Sequence, residues 1–176
     1  MGKYYSTKTF GNEEGLSCVF RQHRATHSHC STLHGYAIGI ELVFECDKLD
    51  ERNWTYDFGG LKEFKKWMHY MFDHTVLVAK DDPLLNEFKR LANLGTVTNS
   101  GEGSIEDCKP CERGALLDLR IVDSVGCEKF AEMAHNKMEE ILVDATNNGT
   151  SMNDTVRIKS VKVFEHGANS ASYSKS

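Results

Sequence analysis

The stretch HRATHSHCSTLHGY, residues 23–36, holds four of the eight histidines and one of the six cysteines of the chain. Neutral imidazole and thiolate are the usual protein ligands of zinc. His27 and His29 are two residues apart, so in an extended segment their side chains point to one face. His34 begins the next strand-like run, and two adjacent strand ends would bring three imidazoles to one point. Three nitrogens and an open fourth position form the pattern of a catalytic zinc site.

The same stretch allows three different interpretations. A histidine-rich loop can be solvated and without function, a short histidine cluster can bind metal adventitiously, and a structural zinc can take Cys30 as its fourth ligand. These interpretations stay open on the residues of the stretch alone.

The segments around this stretch predict an α+β fold. Apolar residues recur at helical spacing from Leu61 to Phe72, with Asp57 near the position of a helix cap. The remaining predicted elements are a hairpin of 3–10 and 16–23, strands 36–46, 116–122 and 156–165, and helices 84–94 and 123–142. We expect an antiparallel four-stranded sheet with helices on one face, and burial of the opposite face in an oligomer.

Length, charge and cysteine content narrow the class of protein. At 176 residues the chain predicts a single domain, 1–176, and the net charge of −5 argues against a nucleic-acid-binding surface. No run approaches the roughly 20 apolar residues that span a bilayer, and the N-terminus lacks the apolar core of a signal peptide. The cysteines therefore indicate thiols rather than a disulfide framework. We expect a cytoplasmic protein with neither nucleic-acid nor membrane partners.

Residues 95–114 are rich in glycine and small polar side chains and predict a loop insertion. Cys108 and Cys111 form a Cys-x-x-Cys pair, which can be redox-active or half of a zinc knuckle. The sequence has no second pair to complete a four-cysteine site. We therefore interpret the segment as a loop without a chemical role.

Set together, these segments resemble the 6-pyruvoyl-tetrahydropterin synthase and 6-carboxytetrahydropterin synthase family. The family's first strand ends in Phe-x-Ala-x-His, to which His23-Arg-Ala-Thr-His27 is similar, except that His23 replaces the aromatic residue. The family's Cys followed by His-Gly-His is similar to Cys30-Ser-Thr-Leu-His34-Gly-Tyr36. Tyr36 stands where the third zinc histidine would be.

Four further motifs extend the resemblance over most of the chain, from Cys18 to Glu165. The family's Asp-Phe-x-x-Leu-Lys resembles residues 57–62, and its Leu-Asp-His resembles residues 72–74. Its Thr-Ser-Glu-x-x-Ala resembles residues 126–131, and its late-strand glutamate corresponds to Glu165.

The resemblance implies a tunnelling fold, a homohexamer, and 7,8-dihydroneopterin triphosphate as the small-molecule substrate. It implies that Cys30 acts as a thiolate base and that Asp73 and His74 relay a proton on the other face. It also implies that Glu128 and Glu165 accept hydrogen bonds from the amino-pyrimidine edge of the pterin.

The implied cofactor is Zn²⁺, which would act as a Lewis acid. Its implied ligands are His27, His29 and His34, with His29 replacing the missing histidine; a Tyr36 phenolate is the second candidate for that position.

The implied function is zinc-dependent conversion of the substrate to 6-carboxy-5,6,7,8-tetrahydropterin, a precursor of 7-deazaguanines such as queuosine. We favour this outcome over 6-pyruvoyl-tetrahydropterin formation by triphosphate elimination, because compact, non-secreted chains are more similar to the microbial branch. Three competing functions are a pterin-binding protein without activity, a dihydroneopterin aldolase on the same fold, and an interaction module with a structural zinc.

Overall fold

The strands of the chain divide between two compact units. The computed structural model describes residues 2–94, 116–151 and 153–175. The strands are β1 (Tyr4–Phe10), β2 (Ser17–Phe20), β3 (His34–Ala37), β4 (Gly39–Cys46), β5 (Thr75–Ala79), β6 (Leu119–Val122), β7 (Arg157–Phe164) and β8 (Ser170–Tyr173). The helices are α1 (Lys62–Phe72), α2 (Leu85–Ala92) and α3 (Cys127–Asn147).

The first unit comprises Met1–Glu14, Gly39–Lys65 and Cys127–Ser176, and the second comprises Gly15–Ile38 and Lys66–Gly126. The expectation of one domain over 1–176 stays a prediction.

The first unit contains a four-stranded antiparallel sheet in the order β1-β4-β7-β8. The pairing of β4 with β7 shifts register between Val43 and Phe44, where β7 carries one extra residue. This bulge keeps both Ile158 and Val161 buried although they are three residues apart. Helix α3 packs against β7 and β8. The predicted antiparallel sheet and the α+β class are therefore confirmed.

The second unit contains another sheet, in the order β3-β2-β5-β6. Strand β2 pairs antiparallel with β3 and parallel with β5, and β5 pairs parallel with β6. The predicted strand 116–122 therefore belongs to this mixed sheet, as β6. Helix α2 lies against β5 and β6, and Phe88 and Ala92 pack with Val78 and Leu119.

The predicted strand 36–46 is two strands. Strand β3 ends at Ala37, and β4 begins at Gly39 in the other sheet, with the fully buried Ile38 between them. A Cβ atom at Gly39 would lie 3.2 Å from the Phe10 carbonyl oxygen. Glycine therefore allows the close approach of β1 at the point where β4 starts.

The apolar stripe predicted for the first helix is buried, and Asp57 caps the 3-10 turn that precedes α1. The Gly59 N–H donates to Asp57 Oδ1 over 2.8 Å. The buried residues of the stripe are Leu61, Phe64, Trp67, Met68, Met71 and Phe72. Local capping and helical periodicity therefore predict this segment correctly.

The predicted loop 95–114, with Cys108 and Cys111, lies outside the described residues. Cys30, Cys46 and Cys127 are free thiols. In the part of the chain that is described, none of the helices is long and apolar enough to cross a membrane.

Candidate active site

Cys30 lies in a tight turn of the second unit. Residues His29–Ser31 form one turn of 3-10 helix, and Ser28 caps it, because the Cys30 N–H donates to Ser28 Oγ over 3.2 Å. The Ser31 hydroxyl donates back to the Ser28 carbonyl over 2.8 Å. Cys30 is half-buried in this arrangement. The turn therefore presents a partly accessible thiol on a backbone that its own hydrogen bonds restrain.

His34 and Tyr36 form a hydrogen-bonded pair at the start of β3. The His34 Nδ1–H donates to the Thr32 carbonyl over 2.8 Å, which leaves Nε2 as the acceptor of a hydrogen bond from the Tyr36 hydroxyl. The Tyr36 ring stacks on Phe20, with the ring centroids 4.1 Å apart. These contacts fix both the tautomer of the imidazole and the position of the phenol.

The predicted zinc ligands do not converge. His27 lies in a turn and His29 opens the 3-10 turn, so our expectation that both lie in one extended segment is wrong. The Ser28 cap favours the turn over the extended form. Within residues 2–94, 116–151 and 153–175, no three His, Cys, Asp or Glu side chains form a group that could hold a metal ion. The set His27, His29 and His34 therefore stays a prediction.

Asp73 and His74 are in contact, as a proton relay requires. The His74 Nδ1–H donates to Asp73 Oδ1 over 2.5 Å, and the imidazole is 86% exposed. His74 has a left-handed backbone with φ of 57°, and its N–H donates to the Ser17 carbonyl over 2.7 Å. Non-glycine residues adopt this conformation rarely, so the hydrogen bond to β2 helps to hold His74 in place.

The sequence reasoning missed His69, the second imidazole on Asp73. The His69 Nδ1 lies 3.2 Å from Asp73 Oδ2, so each carboxylate oxygen meets one histidine. The signal was present, because residues four apart on a helix share a face, and His69 is in the last turn of α1. A carboxylate held from both sides has a defined orientation toward His74.

A partly buried ion pair beside the Cys30 turn is not among the residues that the sequence predicted. Arg21 follows β2, and its guanidinium contacts both carboxylate oxygens of Asp82, over 2.9 and 2.6 Å. His23 Nδ1 lies 3.8 Å from the same carboxylate. Burial opposes the charge of Asp82, but the hydrogen bonds from Arg21 and the Leu84 N–H outweigh it and lower the pKa of this carboxyl.

Besides burial, Glu128 and Glu165, both in the first unit, raise the pKa of the same thiol, that of Cys127. Glu128 is in the first turn of α3, and Glu165 follows β7 in the hairpin that leads to β8, where Asn169 Nδ2 donates to Glu165 Oε2 over 3.3 Å. Burial, and then the charges of Glu165 and Glu128, raise the pKa of Cys127 to about 12. The two predicted pterin-binding carboxylates therefore lie near the same protonated side chain.

One of the comparisons with known proteins identifies a family. The family model described as 6-pyruvoyl tetrahydropterin synthase matches residues 12–176. No curated protein sequence matches the chain.

Among solved structures, an uncharacterized protein from Wolinella succinogenes is 18% identical, with a TM-score of 0.69 and all of both chains covered. The 6-pyruvoyl tetrahydropterin synthase of Plasmodium falciparum is 15% identical, with a TM-score of 0.59 and 98% of each chain covered. That of Caenorhabditis elegans is 14% identical, with a TM-score of 0.58 and coverage of 100% of this chain and 98% of that one. At these identities the structural similarities show a shared fold.

Proposed function

Because the chain belongs to the 6-pyruvoyl tetrahydropterin synthase family, we propose that it is a lyase whose substrate is 7,8-dihydroneopterin triphosphate. The resemblance stated from its motifs is thereby confirmed at the level of the family. Members of this family are lyases that act on pterins. The observation that carries the proposal is the hydrogen-bonded pair of Asp73 and His74, because it gives this chain an oriented proton-transfer group.

Recognition of the pterin is assigned to the first unit. The carboxylates of Glu165 and Glu128 would accept hydrogen bonds from the amino-pyrimidine edge, and such charge-assisted pairs orient a planar ligand. The Cys127 thiol, with its pKa of about 12, stays protonated at neutral pH and adds no third negative charge. The hydrogen bond from Asn169 supports one fixed orientation of the Glu165 carboxylate.

Proton transfer is assigned to the second unit. Asp73 accepts a hydrogen bond from the Nδ1–H of His74. The Nε2 lone pair of His74 is therefore the one that can accept and return a proton of the substrate side chain. Cys30 would serve as the second base, acting as a thiolate on the other face. With two such groups, His74 and Cys30, one can remove a proton from carbon while the other returns a proton to the pterin.

The finer outcome is formation of 6-carboxy-5,6,7,8-tetrahydropterin. In this reaction one water is consumed, the innermost side-chain carbon becomes the carboxylate, and the two outer carbons leave as acetaldehyde while the triphosphate is eliminated. The second candidate product is the 6-pyruvoyl pterin, which keeps all three side-chain carbons after triphosphate elimination. The two products differ in mass, so their ratio is measured directly.

Zinc dependence is also part of the proposal, since zinc as a Lewis acid would acidify the hydroxyls and C–H bonds of the side chain. Its ligands would come from His27, His29, His34 and Tyr36. The proton transfers above involve only side chains of the protein. We also propose that the protein is a homohexamer and that it is cytoplasmic. Light scattering of the purified protein measures the number of subunits.

The test is incubation of the purified protein with 7,8-dihydroneopterin triphosphate, followed by mass analysis of the products. Release of triphosphate with 6-carboxytetrahydropterin supports the proposal, and 6-pyruvoyl-tetrahydropterin supports the second candidate. A protein that binds the pterin with equal affinity before and after Cys30→Ala, and turns over nothing, is a binding protein.

A further inference from the structure

The partly buried ion pair of Arg21 and Asp82 has a geometry that holds the Arg21 side chain in one orientation. Both residues follow adjacent parallel strands, β2 and β5, in which Phe20 is opposite Leu77. Carboxyl ends of parallel strands meet at one edge of a sheet, so the two side chains approach each other there. The Arg21 Nη2 and Nε atoms donate to the two oxygens of Asp82 over 2.6 and 2.9 Å. A bidentate pair of this kind specifies direction as well as charge.

Asp82 is itself held in place. Its side chain is 1% exposed, and the Leu84 N–H donates to its Oδ1 over 2.8 Å. One oxygen therefore accepts from Leu84 and from Arg21, while the other accepts from Arg21 and lies 3.8 Å from His23 Nδ1. The carboxylate has little freedom to reorient, and the guanidinium bound to it has correspondingly little.

The residues at the end of β2 also hold the turn that carries Cys30. The Gln22 N–H donates to the Cys30 carbonyl over 2.7 Å. The Arg21 Nη1 donates to the Ser31 carbonyl over 3.5 Å. Two consecutive carbonyls of the turn are thus attached to two consecutive residues of the segment after β2.

We propose that Arg21, fixed by Asp82, is a positioning residue that holds the backbone of the Cys30 turn for proton transfer. This inference rests on the proposed role of Cys30 as a base. Arg21 is not itself a reacting group. It acts directly on the turn by its hydrogen bond to the Ser31 carbonyl. It acts indirectly because its backbone positions Gln22, whose N–H donates to the Cys30 carbonyl. Without the bidentate pair, the turn keeps its internal hydrogen bonds but loses its attachment to β5.

The test compares Arg21→Lys and Asp82→Asn with Arg24→Ala as the matched control. Lysine keeps the positive charge but not the planar fork, so it separates geometry from charge. Arg24 pairs with Asp81 at the surface, where the two side chains are 79% and 44% exposed. The control therefore removes a neighbouring arginine–aspartate pair that does not contact the Cys30 turn. Circular dichroism and thermal melting identify variants that fail to fold, and Arg21→Lys is the milder change.

The first readout is the rate at which iodoacetamide alkylates Cys30, measured by mass spectrometry of the peptide that contains it. Loss of one hydrogen bond worth about 1 kcal/mol corresponds to about a fivefold larger population of the opened turn. We expect alkylation about fivefold faster in both test variants and unchanged in Arg24→Ala. Equal rates in all four proteins would overturn the inference.

The second readout is turnover of the pterin triphosphate, with kcat and KM measured separately. A displacement of a catalytic group by about 1 Å can cost about 100-fold in rate. We expect kcat to fall by up to that factor in the test variants while KM changes little. Faster alkylation with unchanged kcat in an active enzyme would refute the positioning role. If the wild type turns over no pterin, the proposed function fails, whereas the alkylation rates still decide whether Arg21 and Asp82 hold the turn.

Discussion

Replacement of Asp73 by asparagine should lower kcat by about 100-fold, because His74 would lose the partner that sets its tautomer. In the wild type the carboxylate accepts from His74 Nδ1 over 2.5 Å, which leaves Nε2 free to take a proton. An amide that presents its NH₂ to Nδ1 forces the ring proton onto Nε2. General acid–base catalysis contributes about 10²- to 10⁴-fold. We take the low end because the imidazole is 86% exposed and water can stabilise either tautomer; 100-fold is about 2.7 kcal/mol.

The assay is steady-state turnover of 7,8-dihydroneopterin triphosphate, with zinc content and pterin affinity measured on the same preparation. His69→Gln is the matched control, because it removes the weaker contact on Asp73, at 3.2 Å, and leaves the Asp73–His74 hydrogen bond intact. We expect a loss of at most about fivefold for the control, since partly exposed contacts of this kind contribute less than about 1 kcal/mol. An Asp73→Asn enzyme with more than half of the wild-type kcat would refute the assignment of His74.

The remaining predictions concern stability, thiol reactivity and metal content. Burial opposes the charge of Glu45, but hydrogen bonds from Arg157 and other donors outweigh this effect and lower the pKa of the carboxyl from 4.5 to about 2. The stability that the charged Glu45 contributes is therefore present above pH 4.5 and is lost as the pH falls toward 2. Urea unfolding of Glu45→Gln should therefore show a deficit of about 2 kcal/mol at pH 7 that shrinks across this window. The Cys127 thiol, with a pKa of about 12, should react with iodoacetamide at pH 8 far more slowly than free cysteine, as followed by peptide mass spectrometry. One zinc per chain that is lost in His29→Ala would identify His29 as a ligand, whereas full zinc in the variant would favour Tyr36 or Cys30.

The parts of the fold that sequence predicts are those with a local signal. The stripe of α1 repeats at helical spacing, and Asp57 caps the turn before it, so both appear within a short window. Strand β7 alternates apolar and polar residues after its bulge. Periodicity and capping depend only on neighbours in sequence, which is why they can be interpreted without the structure.

The mixed sheet of the second unit has no such signal. Its strands are four or five residues long, and three of its members pair across long sequence separations. The break at Ile38 interrupts an apolar run that continues on both sides. Short strands and non-local pairing leave too few residues for a period to be recognised.

The residues of the candidate site also differ in whether a local sequence signal predicts their contacts. Adjacent residues such as Asp73 and His74 are close by necessity, so their contact follows from the sequence. The histidine spacing predicts an extended segment at Cys30, whereas the capping hydroxyl of Ser28 favours the observed turn. The Arg21–Asp82 pair joins residues 61 positions apart, and only the parallel pairing of β2 with β5 brings them together.

The order of the strands along the chain also sets the order in which a ribosome can supply them. Every strand of the β3-β2-β5-β6 sheet lies between Ser17 and Val122, so that sheet can complete while synthesis continues. The other sheet needs β7 to reach β4 and β8 to reach β7, and β7 itself begins only at Arg157. During translation one edge of β4 therefore stays unpaired until β7 has been made, and an unpaired strand edge exposes a nascent chain to aggregation.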